Sequence, residues 1–317
     1  MHRVGVDLGG TKIQTVVVDQ DYNVTGSNRQ PTPRKGGPKA VTRAIANSVN
    51  AAIKDSGVKR NEVMGVGVGS PGQIDKRAGT VSHAGNLPDW LGTYALGPEL
   101  SKRVKMSVDL GNDVQVAVRS EAELGSGATS NSLLGVFVGT GIGGGVVINR
   151  KMWLGRGAAG EIGHTVVDVN GPPCPCGRKG CLEAYAGRSA MEIQARKWVA
   201  EGRSTNLFHI MKKKGRDRLT SGIWARALKK DDEMATELID RAVWALGIAI
   251  GSATNLLDTD MVVIGGGIGV RLGQPFVDRI AEASLPRMVM AQRPPVFRTA
   301  ALGDLGGAVG AALLPLD

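Results

Sequence analysis

Aromatic side chains are scarce. Phe, Trp and Tyr make up 4% of the 317 residues, too few for the stacked platforms that hold single-stranded nucleic acid. No run reaches the roughly 18 uninterrupted apolar residues that a membrane-spanning helix needs. A signal peptide is not expected. Residues 3–7 (Arg-Val-Gly-Val-Asp) already read as a strand, so a cytoplasmic location is expected. Only three cysteines occur, Cys174, Cys176 and Cys181. An odd number so close together makes a poor disulfide framework. No linker of disordered composition interrupts the chain.

What is abundant is glycine, with 46 residues. The glycines cluster in short loops between apolar runs, which argues for tight functional turns and against low complexity. Lys and Arg number 39 against 29 Asp and Glu, a net charge of +10. Such a surface attracts polyanions, among them nucleotides and polyphosphate, and it also suits any soluble basic protein. The length allows two domains with proper cores.

Strands and helices alternate, which predicts α/β domains with mixed sheets. Residues 3–7 and 14–19 read as short β-branched strands around the turn Leu8-Gly9-Gly10-Thr11-Lys12. Residues 38–56 read as an amphipathic helix, 63–69 and 106–110 as strands, and 114–124 as a helix. The opening pattern then recurs. Residues 133–138 read as a strand, Gly139 to Gly145 as a turn, and 146–149 as the next strand. This recurrence predicts two structurally similar halves. Residues 188–257 read as mostly helical, with breaks near Gly202 and Gly215. A strand at 261–264 runs into Gly265-Gly266-Gly267, followed by a helix at 275–283, a strand at 296–300 and a small-residue helix at 306–314.

Glycines in Asp7-Leu8-Gly9-Gly10-Thr11-Lys12 let backbone N–H groups approach a phosphate, and Thr11 and Lys12 add a hydroxyl and a cation. Asp7 at the strand end could hold Mg²⁺ through water. The spacing is not that of a P-loop. Gly139-Thr140-Gly141 has the same character, and Gly265-Gly266-Gly267 follows a buried strand, where ligands prefer to bind in α/β folds. Paired Gly-Thr turns in two similar halves resemble the actin–hexokinase group of ATPases. Within that group, Asp7 to Lys12 resembles the opening of the ROK family of repressors, open reading frames and sugar kinases. The resemblance implies a two-domain actin-like ATPase (ribonuclease H-like) fold with a cleft between the domains. It places residues 1–113 and about 301–317 in a small domain, and about 114–300 in a large one.

The three cysteines lie in Cys-Pro-Cys-Gly-Arg-Lys-Gly-Cys. In a cytosolic chain, metal ligation is the better reading of such a cluster. Tetrahedral zinc needs a fourth ligand, and His164 upstream is the natural candidate. The segment Gly160-Glu161-Ile162-Gly163-His164, with Cys174, Cys176, Cys181 and Glu183, closely resembles the ROK signature. That resemblance implies structural zinc on His164, Cys174, Cys176 and Cys181 within segment 164–181. It also implies that the second ring nitrogen of His164 faces the sugar.

Sugars are held by carboxylates and amides that pair with vicinal hydroxyls. Asn86, Asn112, Asp113, Glu161, His164 and Glu183 fit that role on the ROK pattern. Asp113 is the candidate general base, since an attacking hydroxyl must lose a proton. The family often shows Glu-Asn-Asp-Ala-Asn where this chain has Gly111-Asn112-Asp113-Val114-Gln115. It commonly has Ser after Glu-x-Tyr-Ala, where this chain continues Ala186-Gly187. The expected activity is ATP-dependent phosphorylation of a hexose, with glucose favoured by Glu161, His164 and Glu183. Fructose, mannose, N-acetylmannosamine and N-acetylglucosamine are the family's other acceptors. A homo-oligomer, dimer or tetramer, is also implied.

Lys212-Lys213-Lys214 with Arg216 and Arg218, and Lys229-Lys230, are positive runs. They read as solvated helix ends or as a landing strip for polyphosphate as donor. A repressor would carry a helix-turn-helix ahead of Asp7, where six residues precede it here, so DNA binding is not expected. A zinc-stabilised sugar sensor without catalysis is the other rival, and Asp113 argues against it.

Overall fold

The computed structural model describes residues 1–85 and 87–316. They form two compact units, the first comprising residues 1–125 and the C-terminal segment from Ala301, the second Ser126–Ala300.

The first unit carries β1 (His2–Leu8), β2 (Lys12–Val18), β3 (Val24–Pro31), α1 (Gly37–Ser56), β4 (Val63–Ser70), β5 (Gln73–Asp75), β6 (Thr80–Ser82), α2 (Leu96–Val104), β7 (Val108–Asn112) and α3 (Asp113–Leu124). Its main sheet has the order β3-β2-β1-β4-β7. β1 pairs antiparallel with β2 and parallel with β4, and β4 pairs parallel with β7. The two faces are set by alternation along each strand. Val4, Val6, Val66 and Val68 point to one face and share a core with Val41, Ile45 and Val49 of α1. Gly5 and Gly67 point to the other face, against the C-terminal helix Gly306–Ala311.

That second face explains the Val-Gly-Val-Gly pattern of β4. A Cβ at Gly67 would stand 1.7 Å from the Ala311 carbonyl oxygen, and one at Gly5 would stand 1.9 Å from that of Ala308. The helix backbone therefore rests directly on the sheet. Gly67→Ala must push helix and sheet apart, and we expect it to destabilise the protein by about 3 kcal/mol. A urea midpoint equal to that of the parent chain would contradict this packing.

The first unit extends past Asp113, where the sequence placed the boundary. α3 belongs to it because α3 packs on the C-terminal helix. Ser120 Oγ donates to the Gly306 carbonyl at 2.9 Å, and the Glu121 carboxylate accepts the amides of Ala301 and Leu302. A Cβ at Gly310 would stand 2.0 Å from the Val116 carbonyl oxygen.

The second unit carries β8 (Leu133–Val138), β9 (Ile142–Ile148), β10 (Lys151–Trp153), α4 (Leu182–Ala186), α5 (Arg188–Ala200), α6 (Leu207–Lys213), α7 (Ser221–Leu228), α8 (Glu233–Leu257), β11 (Met261–Gly265), α9 (Gly266–Leu272), α10 (Gln274–Ser284) and β12 (Val296–Thr299). Its sheet order is β10-β9-β8-β11-β12. β8 pairs antiparallel with β9 and parallel with β11, which pairs parallel with β12. The two sheets thus share one pattern of order and direction, as the repeated glycine turns suggested.

Two glycine segments differ from their sequence reading. Gly143, Gly144 and Gly145 lie inside β9 rather than in a turn. They allow close approach: a Cβ at Gly144 would stand 2.7 Å from the Gly160 carbonyl oxygen. Gly266 and Gly267 open α9 instead of extending a loop. No helix among the described residues is long and apolar enough to cross a membrane.

Candidate active site

In the first unit, β1, β4 and β7 run parallel, and their carboxyl ends form one edge, with Asp7 opposite Gly69 and Ser70 opposite Asn112. Ligands of α/β sheets gather at such edges. The β1–β2 turn is closed by Gly9 N–H donating to the Lys12 carbonyl at 2.9 Å. Thr32 braces it from β3 side, its hydroxyl donating to the Gly9 carbonyl at 2.6 Å. Thr11 is exposed beside half-buried Gly9, Gly10 and Lys12. Burial holds the Asp7 carboxyl above the usual carboxylate range, Lys12 opposes this, and Asp304 adds to it. A Cβ at Gly307 would stand 3.1 Å from Asp7 Cγ, so glycine there leaves the carboxylate its room.

Asp113 is the first residue of α3, directly after β7. Its Oδ1 accepts the Val114 amide at 2.9 Å. Asn112 takes the helix-cap role that polar residues between a strand and a helix commonly have. It caps α3, its Oδ1 accepting the amides of Val114 at 3.0 Å and Gln115 at 3.1 Å. Its oxygen is therefore committed to the helix, and its Nδ2 donates to the Gly72 carbonyl at 3.5 Å. Asn86 lies outside the described residues.

The second unit holds the other expected groups. Gly139 N–H donates to the Gly141 carbonyl at 2.9 Å, closing the β8–β9 turn. Two neighbours brace it. The Glu183 carboxylate accepts the Ile142 amide at 2.7 Å, and a Cβ at Gly141 would stand 2.1 Å from Glu183 Oε2. From α5, the Arg188 and Ser189 amides donate to the Gly139 and Thr140 carbonyls at 3.1 and 3.0 Å. Glu183, expected against sugar, thus uses one oxygen to hold the turn. At the end of β11, Gly266 has φ 76, a left-handed conformation that glycine adopts freely. A Cβ there would stand 2.6 Å from the Val138 carbonyl oxygen, which brings this turn against β8.

The signature Gly160-Glu161-Ile162-Gly163-His164 has a packing logic. A Cβ at Gly163 would stand 2.1 Å from the Ile142 carbonyl oxygen, and one at Gly160 would stand 2.7 Å from Gly145 Cα. The glycines press the loop onto β9, Ile162 enters the core, Glu161 is exposed and His164 half-buried.

His164, Cys174, Cys176 and Cys181 converge, with their ligand atoms all within 4.8 Å of one another. Cys176 Sγ and Cys181 Sγ are 3.7 Å apart, as are Cys174 Sγ and His164 Nδ1. Zinc–sulfur bonds of about 2.3 Å give tetrahedral edges of about 3.8 Å, so the donor set fits zinc. Gly177 and Gly180 turn the chain at φ 87 and 69, and Gly177 N–H donates to the Cys174 carbonyl at 3.0 Å. Burial pushes the Cys174 thiol up to about 12, while hydrogen bonds from Arg178 pull Cys176 down to about 6. Burial also raises Cys181.

The basic runs fall at helix ends. Lys212 and Lys213 occupy the last turn of α6, and Lys229 caps the C-terminus of α7; all are exposed. That placement suits helix dipoles without any ligand.

A family model described as the ROK family matches residues 3–317. The chain is 32% identical over 316 residues to a glucokinase of Halalkalibacterium halodurans, covering 98% of this chain and 94% of the relative. It is also 32% identical over 324 residues to an N-acetyl-D-glucosamine kinase of Pectobacterium atrosepticum, covering 98% of each. Among solved structures, a ROK family glucokinase of Streptomyces griseus in complex with glucose and AMPPNP aligns with a TM-score of 0.83 and 28% identity, covering 98% of each chain.

Proposed function

Because the chain belongs to the ROK family, we propose that it transfers the γ-phosphoryl group of ATP to glucose, giving glucose 6-phosphate and ADP. The observation that carries this reading is Asp113 at the first turn of α3, on the sheet edge that also presents Asp7 and the β1–β2 turn. Asp113 takes the proton of the 6-hydroxyl as that oxygen bonds to the γ-phosphorus. The bond from the γ-phosphorus to the bridging oxygen breaks, and ADP leaves with its Mg²⁺. Little covalent chemistry is asked of the protein beyond this; positioning and charge stabilisation do most of the rest.

Lys12, Thr11 and the Gly10 amide suit the phosphates, as do Thr140, the Gly141 amide, and Gly265, Gly266 and Gly267; Gly9 and Gly139, whose amides close their turns, let the phosphates approach the backbone. Asp7 would hold the nucleotide's Mg²⁺ through water. Glu161, the second oxygen of Glu183, Nε2 of His164, the amide group of Asn112 and Asn86 would hold the sugar hydroxyls. His164, Cys174, Cys176 and Cys181 would hold a structural zinc, which supplies rigidity to the loop bearing Glu161 and His164. Reduced thiolates in such a site suit the cytoplasm.

The acceptor is tested by kcat/KM with ATP over glucose, mannose, fructose, N-acetylglucosamine and N-acetylmannosamine. Glucose is expected to lead. An N-acetyl sugar in the lead would move the acceptor to a hexosamine, and silence on every sugar would overturn the kinase reading.

A further inference from the structure

Arg188 stands out as a cation whose position the sugar chemistry does not use. It opens α5, and its guanidinium Nη2 donates to Thr140 Oγ1 at 2.8 Å. Its Nη1 lies 3.8 Å from where a Cβ of Gly267 would stand. One side chain therefore touches the β8–β9 turn and faces the turn after β11, both in the second unit. The glycine at 267 puts no side chain of its own beside the guanidinium, and the other side chain there is Ser221, whose Oγ lies 3.4 Å from where that Cβ would stand.

The charges around Arg188 are unbalanced. Arg218 is its neighbour, tied to the start of α5 by a bond from Nη2 to Ser189 Oγ at 3.0 Å. The carboxylate nearest to both is Glu192, which is already spent on Arg196, Arg218 and the Leu219 amide. Among the described residues no ion pair involves Arg188. A half-buried guanidinium beside a second cation is costly unless an anion joins them. Phosphate oxygens suit the planar fork of arginine. Because Arg188 donates to Thr140 Oγ1, the Thr140 hydroxyl proton stays free to donate to the same anion, and the two bonds reinforce each other.

We propose that Arg188, working with the Thr140 hydroxyl, grips the phosphate chain of the nucleoside triphosphate between the Gly139-Thr140-Gly141 turn and Gly267. This rests on the kinase reading, and it adds the side-chain cation that the glycine turns of the second unit lack. Arg188 follows Gly187, at the place where the chain departs from the usual Ser of its family.

Binding by calorimetry tests this without requiring turnover. Arg188→Met is expected to weaken a non-hydrolysable ATP analogue by about 10- to 100-fold, the loss of one charge-assisted contact. Adenosine, which has no phosphate, should bind Arg188→Met and the parent equally. Arg188→Lys should fall between, since it restores a point charge without the fork. Kinetically, KM for ATP should rise while KM for glucose stays put. An analogue affinity within about twofold of the parent in Arg188→Met, or equal losses for analogue and adenosine, would overturn the assignment. If the parent enzyme phosphorylated no hexose, the kinase reading would fail while the titrations still decided the role of Arg188.

Discussion

Asp113→Ala is expected to lower kcat for glucose phosphorylation by about 10³-fold, the range over which a positioned base contributes. KM for ATP should change little, because Asp113 is assigned to the acceptor. The same substitution removes a favourable charge from the first turn of α3, which costs only about 0.3–1 kcal/mol. Asn112 still caps that helix through Val114 and Gln115, so the fold should survive. Asp113→Asn, which keeps the shape, should be as inactive as the alanine variant. Turnover within about tenfold of the parent in both variants would remove Asp113 as the base.

The second large effect is expected at the cysteine knot. Cys181 is fully buried and leads directly into α4, which carries Glu183. Cys181→Ser takes away one of the four donors proposed to hold zinc. Bound zinc, measured by elemental analysis, should fall from one per chain to near none at micromolar zinc. Activity should fall by more than about 100-fold, since perturbing even the partners of metal ligands costs about 10–100-fold. KM for glucose should rise more than KM for ATP if the proposed zinc site orients His164 and Glu161. Prolonged chelation of the parent should reproduce the effect, and added zinc should reverse it. A zinc-free variant with ordinary sugar kinetics would contradict a positioning role for the knot.

Much of this arrangement can be read from residue patterns, and the exceptions have physical reasons. Alternating Val and Gly in β4 marks a strand with a packed face and a close-contact face. The Cys and His spacing marks residues that converge, and His164, Cys174, Cys176 and Cys181 do come together as a donor set able to hold a metal. By contrast, β3 is mostly polar and half-exposed, so it carries little periodic signal. Gly143 to Gly145 look like a turn because glycine permits both a turn and a close approach, and only the partner segment at Gly160 decides between them. The boundary after Asp113 failed because the partner of α3 lies at the far end of the chain, in the C-terminal helix. Asn112 and Glu183 were visible as polar residues in the right segments. A cap is the ordinary duty of an Asn between strand and helix, whereas the turn brace made by Glu183 depends on the Ile142 amide, which residue identity does not reveal.

Phosphorus NMR of the protein with ATP, Mg²⁺ and glucose watches phosphoryl transfer from ATP to a hexose hydroxyl as it happens. A resonance of glucose 6-phosphate growing in step with ADP is the predicted result. ATP converted only to ADP and inorganic phosphate, or left intact with every hexose offered, would contradict it.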